Sequence, residues 1–188
     1  SDIAESNLAQ MPVWDVSALT NYEVAKHLLC TELVGMERNA GMLENVPHVE
    51  MENLSMVYRL QLESNEAGAA TVLVTNDLMN RMGVPREQIH ADALENAPKI
   101  RPAEMKNLAE LLSEITGMPM DAMPQNVTPP IYVVTNEERI HGAAAIFYPG
   151  MMEQATKDLG GNFFMLPSSV HEVLILPDDG NTKSSELQ

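Results

Sequence analysis

Two Gly-Ala-Ala segments constrain the fold of this sequence more than any other feature. Gly68-Ala69-Ala70-Thr71-Val72-Leu73-Val74 leads into a short helical pattern, Asn76 to Gly83. Gly142-Ala143-Ala144-Ala145-Ile146-Phe147-Tyr148 leads into another, Met151 to Gly160. A strand-like run and a polar turn precede each: Met56 to Leu62 with Ser64-Asn65-Glu66, and Ile131 to Thr135 with Asn136-Glu137-Glu138. The unit reads strand, turn, strand, helix, twice. Ala143 to Ala145 would also suit a helix that Pro149 kinks, but Ile146-Phe147-Tyr148 and the parallel with Thr71 to Val74 favour a strand. The expected fold is α+β, an antiparallel sheet with helices packed on it and two similar units.

Flanking patterns extend this. Tyr22 to Leu33 has the spacing of one apolar helical stripe through Val24, Leu28, Leu29 and Cys30. Met56, Tyr58, Leu60 and Leu62 alternate with Val57, Arg59 and Gln61, as in a strand with one face on a core. Ala70 to Val74 is apolar on both faces, which suits a more central strand. Thr75 or Asn76 caps a helix from Asp77 that Gly83 ends. Pro85 opens the next, with Ile89, Ala93, Leu94 and Ala97 inward and Pro98 as its stop. Pro102 then opens a helix with Met105, Leu108, Leu112 and Ile115 on one face, closed by Gly117. Asn162 to Leu166 and His171 to Leu176 read as two further strands.

These elements divide into an N-terminal arm (1–20), a single α+β domain (21–177) and a flexible acidic tail (178–188). Within the domain, four prolines between Gly117 and Pro130 mark a connection at 118–129 between lobes of about 21–117 and 130–177. The helices, from about 77 to 116 and from 151 to 159, are expected to pack on the sheet.

Charge narrows the function classes. Eleven basic residues against 27 acidic ones leave a formal charge of −16. Such a surface repels phosphate backbones and anionic membranes, so neither nucleic acid nor membrane is an expected partner. Cys30 is the only cysteine, which excludes an intrachain disulfide and a cysteine zinc site. The longest apolar runs fall well short of the ~20 residues of a membrane span. No secretory leader is visible, and the sequence begins at Ser1 rather than Met, as a trimmed segment would. Cytoplasmic residence is the expectation.

The densest chemistry lies in Leu166-Pro167-Ser168-Ser169-Val170-His171-Glu172. Two hydroxyls, an imidazole and a carboxylate are the groups of a nucleophilic site, so Ser168, Ser169, His171 and Glu172 are the candidate catalytic residues. If His171 opens a strand, however, Glu172 points to the opposite face and cannot orient the ring. The plainer reading is a turn whose serines bond nearby backbone. His171-Glu172 begins like a zinc-protease motif, but Ile175 stands where the second histidine belongs. The five histidines (27, 48, 90, 141 and 171) lack ligand spacing, and Asp178-Asp179-Gly180-Asn181 lacks the alternating oxygens of a calcium loop. No metal or cofactor is expected. His27 and Cys30 would touch on one helix, although Cys30 falls on the apolar stripe. The Met118 to Met123 stretch suits a partner surface or a loop folded on the core.

Several segments in order carry a resemblance: Glu44-Asn45-Val46-Pro47-His48, Val74-Thr75-Asn76-Asp77-Leu78-Met79, Leu94-Glu95-Asn96-Ala97-Pro98, Tyr132-Val133-Val134-Thr135-Asn136, Tyr148-Pro149-Gly150, and Leu166 through His171-Glu172 to Asp178-Asp179-Gly180. Across Tyr22 to Gly180 the chain resembles an uncharacterised domain-of-unknown-function family abundant in gut Firmicutes. More remotely, its element order is similar to the YtpQ family. The resemblance implies a bacterial protein and transfers no catalytic residue.

The leading functional expectation is a noncatalytic module that binds a protein partner or a small ligand, and so a protein that is not an enzyme. The alternative is a hydrolase-like enzyme using Ser168 or Ser169 with His171 and a distant carboxylate. A structural or oligomer-forming role stands third. A binding module should present an apolar groove, whereas an enzyme should bring those side chains within hydrogen-bond reach.

Overall fold

A computed structural model describes residues 16–65, 68–122 and 129–180. Pro12 and Trp14 of the arm, Met123 with the rest of 123–128 of the proline-rich connection, and 181–188 of the tail lie outside these residues.

The protein is α+β, with two antiparallel four-stranded sheets in place of one. The first holds β1 (Leu29–Gly35), β2 (Val49–Met51), β3 (Leu54–Asn65) and β4 (Gly68–Leu73). The long β3 is its spine. One edge pairs with β1 from Leu29↔Leu60 to Gly35↔Leu54. The other edge is shared by β2, at Val49↔Met56, and β4, at Gln61↔Thr71. The second sheet is ordered β5 (Ala103–Asn107), β6 (Tyr132–Asn136), β8 (Val173–Pro177), β7 (Phe163–Pro167). Helices α1 (Val16–Leu19), α2 (Tyr22–Ala25), α3 (Ala40–Leu43), α4 (Asn76–Met82), α5 (Arg86–Ile100), α6 (Leu108–Thr116) and α7 (Met151–Leu159) complete the described elements, with short 3-10 turns.

The alternation in β3 holds. Met56, Tyr58 and Leu60 enter the main core with Leu29 and Leu33 of β1, Ile89 and Ala93 of α5, and Val134 and Ile175 of the second sheet. The reverse face is covered too, by a smaller cluster of Val34, Val57, Leu43 and Val46. β3, not β4, is therefore the central strand.

Helix bounds depart from the sequence pattern in three places. The helix read over Tyr22 to Leu33 stops at Ala25, and β1 begins at Leu29. Every residue from Leu29 to Val34 is buried, so the run satisfies a two-faced strand better than a one-striped helix. Pro98 does not stop α5, which runs on to Ile100. Losing one amide near a helix end costs little when Asn96 and Ala97 are already buried and the Arg101 N–H closes on the Ala97 carbonyl at 2.7 Å. The helix read from Pro102 is a strand followed by a helix. Met105 pairs with Val134, and the Asn107 side chain accepts from Ala109 N–H to start α6 anew. Its supposed inward residues Leu112 and Ile115 are exposed, and Leu111 is buried instead.

The second Gly-Ala-Ala segment is the largest correction. Gly142–Phe147 is a 3-10 helix, not a strand, so the second unit lacks its second strand and the repeat is not carried by the structure. Residues 142–146 are all buried. The small residues Gly142 to Ala145 let the turn lie against β6. A Cβ on Gly142 would meet the Thr135 hydroxyl and stand 2.6 Å from the Asn136 nitrogen and 2.8 Å from the His171 carbonyl oxygen. That contact brings the His171 segment against β6.

Candidate functional site

Ser168 to Glu172 forms the connection between β7 and β8. The Ser168 and Ser169 amides both donate to the Glu172 carbonyl, at 3.3 and 3.4 Å. Ser169 Oγ accepts from the His171 amide at 3.0 Å, and Ser168 Oγ donates to Glu172 Oε1 at 3.4 Å. His171 is exposed, and its Nδ1 accepts from the His141 amide at 3.0 Å. That bond places the ring proton on Nε2. Among the described residues neither serine hydroxyl bonds an imidazole nitrogen, and the Glu172 carboxylate meets Ser168 rather than His171. The arrangement is a hydrogen-bonded turn whose outer bonds run to a neighbour: the His171 and Val170 carbonyls accept from Thr135 Oγ1 and the Ala143 amide. Ser169→Ala should cost about 1 kcal/mol, the worth of one turn hydrogen bond, as read from urea midpoints.

Beside it lies a polar seam that the sequence reading missed. His141, held at a left-handed φ of 52°, places Nδ1 3.2 Å from Glu32 Oε1. The other Glu32 oxygen takes Nε of Arg59, and Arg59 Nη1 donates to Thr71 Oγ1 at 3.3 Å. Glu32 is 5% exposed. Burial alone would raise its pKa, but His141 and Arg59 hold the carboxyl below its ordinary range. One acidic residue inside the apolar run Leu28 to Val34 was the available signal. The Cys30 thiol donates to the Arg59 carbonyl at 3.5 Å, not to His27, and burial pushes its pKa up. His90 Nδ1 is 2.7 Å from the Tyr58 hydroxyl, and burial lowers its pKa. Asp178 Oδ1 accepts from Gly180 N–H, a local turn. Among the described residues no three histidine, cysteine, aspartate or glutamate side chains are placed to hold a metal, and no helix is long and apolar enough to cross a membrane.

A groove with a volume of about 760 Å³ runs between β7 and the β2–β3 hairpin. Phe147, Phe163 and Phe164 line it, which accounts for all 3 phenylalanines of the chain. Met51, Met152 and Met165 line it as well. β7 is the last strand of its sheet, so among the described residues one side of its backbone has no strand partner, and Phe163 to Pro167 all line the groove. Phe163 to Pro167 carries no charge, whereas exposed edges are commonly guarded by charged side chains. Glu52, at the hairpin tip with φ 54°, is the one charged side chain of the described lining.

The two sheets and the shared aliphatic core define a two-sheet α+β protein with an apolar groove beside an edge strand. The chain belongs to DUF5688, a family of unknown function, whose family model matches residues 1–188. No curated protein and no solved structure matches the chain.

Proposed function

We propose that the protein is a noncatalytic binding module that takes an extended segment of a partner protein along β7. The free edge of β7 beside a groove lined by phenylalanine and methionine carries this reading. Edge pairing would supply backbone hydrogen bonds, and the groove would receive alternate apolar side chains. Methionines adapt to varied side chains, which suits a surface that reads shape loosely. Charge selects the occupant. A formal charge of −16 and Glu52 at the lip disfavour a second copy of this chain and favour a segment with Lys or Arg beside its apolar residues.

A random-peptide phage library panned on the full chain tests this. Selected peptides should alternate apolar residues with basic ones, slow hydrogen exchange at β7 amides, and bind about tenfold more weakly to Met165→Lys. Met165 is 39% exposed, so the substitution should leave folding intact. Peptides that leave β7 amides unprotected and bind Met165→Lys as well as wild type would sink the reading.

A further inference from the structure

Arg101 stands outside the seam and the groove, and among the described residues it is the largest fully buried side chain, at 1% exposure. Its Nε donates to Gln61 Oε1 at 2.6 Å. Nη1 and Nη2 are both sealed from solvent and have no hydrogen-bond partner among the described residues. A guanidinium keeps its charge at every physiological pH, and a buried charge without partners is among the costliest groups a fold can hold. With Nε occupied, the two Nη groups form a free fork that matches the two oxygens of a carboxylate.

The surroundings fit such a guest. The Cys30 thiol and the Tyr148 hydroxyl both lie within electrostatic reach of Arg101. Burial pushes the Tyr148 hydroxyl up to about 12, so it stays a donor. The charged groups that act on Cys30 include Arg101, Glu32, Arg59 and Glu138. The turn after β6 meets the backbone next to Arg101, where the Glu137 amide donates to the Pro102 carbonyl at 3.0 Å. Arg139 and His141 in this segment hold left-handed backbone, a conformation that persists only when its surroundings enforce it. Residues 137–139 of that turn are exposed.

We propose that Arg101 is the anchor of a buried site for a small carboxylate, held by Nη1 and Nη2. The overall negative charge does not forbid this, because salt screens the exposed carboxylates beyond about 8 Å while the buried guanidinium acts at contact.

The test compares melting of the full chain in sodium acetate, sodium phosphate and sodium chloride at equal ionic strength. Acetate should raise Tm by several degrees in a saturable way, beyond the other two salts. Arg101→Met should lose that increment and melt no lower than wild type in chloride, since it removes an unpaired buried charge. Equal shifts in all three salts, or an acetate increment that survives in Arg101→Met, would overturn the site. If Arg101→Met does not fold, nitrogen-15 spectra of the wild-type guanidinium decide. Arg101 Nη signals should move saturably with acetate. Signals that stay fixed, whether from water or from a carboxylate of the chain itself, overturn a site for a free ligand.

Discussion

Gly142→Ala should destabilise the protein by about 3 kcal/mol or more, placing it in the severe tail of single substitutions. At this chain length that lowers Tm by roughly 6–12 °C. The new methyl would meet the Thr135 hydroxyl and two backbone atoms, the Asn136 nitrogen and the His171 carbonyl oxygen. A flexible side chain can swing away, but these backbone atoms cannot. Asn136 is pinned by its side chain, which accepts from Ile140 N–H and donates to the Ile140 carbonyl. His171 is pinned by the Thr135 and His141 bonds. The methyl therefore pries the 3-10 turn from β6 and separates Ala143 to Ile146 from the core. Gly161→Ala is the control, because nothing lies within 4 Å of a Cβ there, and its effect should stay within about 0.5 kcal/mol. Similar Tm values for the two variants would show that the close approach at Gly142 does not hold the turn.

The second Gly-Ala-Ala segment shows where sequence ceases to specify structure. Both copies offer small residues followed by larger apolar ones, and both precede a helix. What separates them is the partner available. The first continues from β3 and pairs with it as a hairpin, while β6 already has β5 and β8 on its two edges. No edge remained for Gly142 to Phe147, so the segment buried its alanines as a turn. Local signals fared better where the physics is local. Thr75 caps α4 by accepting from Leu78 N–H, and Gly83 and Gly117 end helices at φ near 70°, as their positions indicate. Leu29 to Val34 misled because a strand buried on both faces and a buried helix share one composition.

The candidate residues follow the same division. The Ser168 to Glu172 turn was legible because serine hydroxyls bond backbone a residue or two away. The groove was not. Phe163 and Phe164 announce a strand, but that β7 ends its sheet depends on pairings across the chain. Arg101 was hidden for a further reason. Beside Pro102 an arginine reads as a surface residue at a helix end, and only the tertiary packing that brings Gln61 of β3 to it takes it out of water.

Glu32→Gln should cost about 3 kcal/mol at neutral pH, because it leaves the Arg59 guanidinium half-buried without its anion. The pH dependence identifies the cause. The folded pKa of Glu32 lies below its unfolded value, so its contribution is complete above the ordinary carboxylate range and fades as pH falls through the folded value. The urea-midpoint gap between wild type and Glu32→Gln should thus be open above about pH 5 and close below about pH 4. Other carboxylates titrate in both proteins and cancel from the difference. Adding Arg59→Met should recover much of the loss, since removing both charges leaves no orphan. A gap that persists at the acid end, or a double variant no better than Glu32→Gln alone, would mean that Glu32 acts through packing. In that case β1 would tolerate the residue for its shape, and the seam from Thr71 to His141 would not be an electrostatic unit.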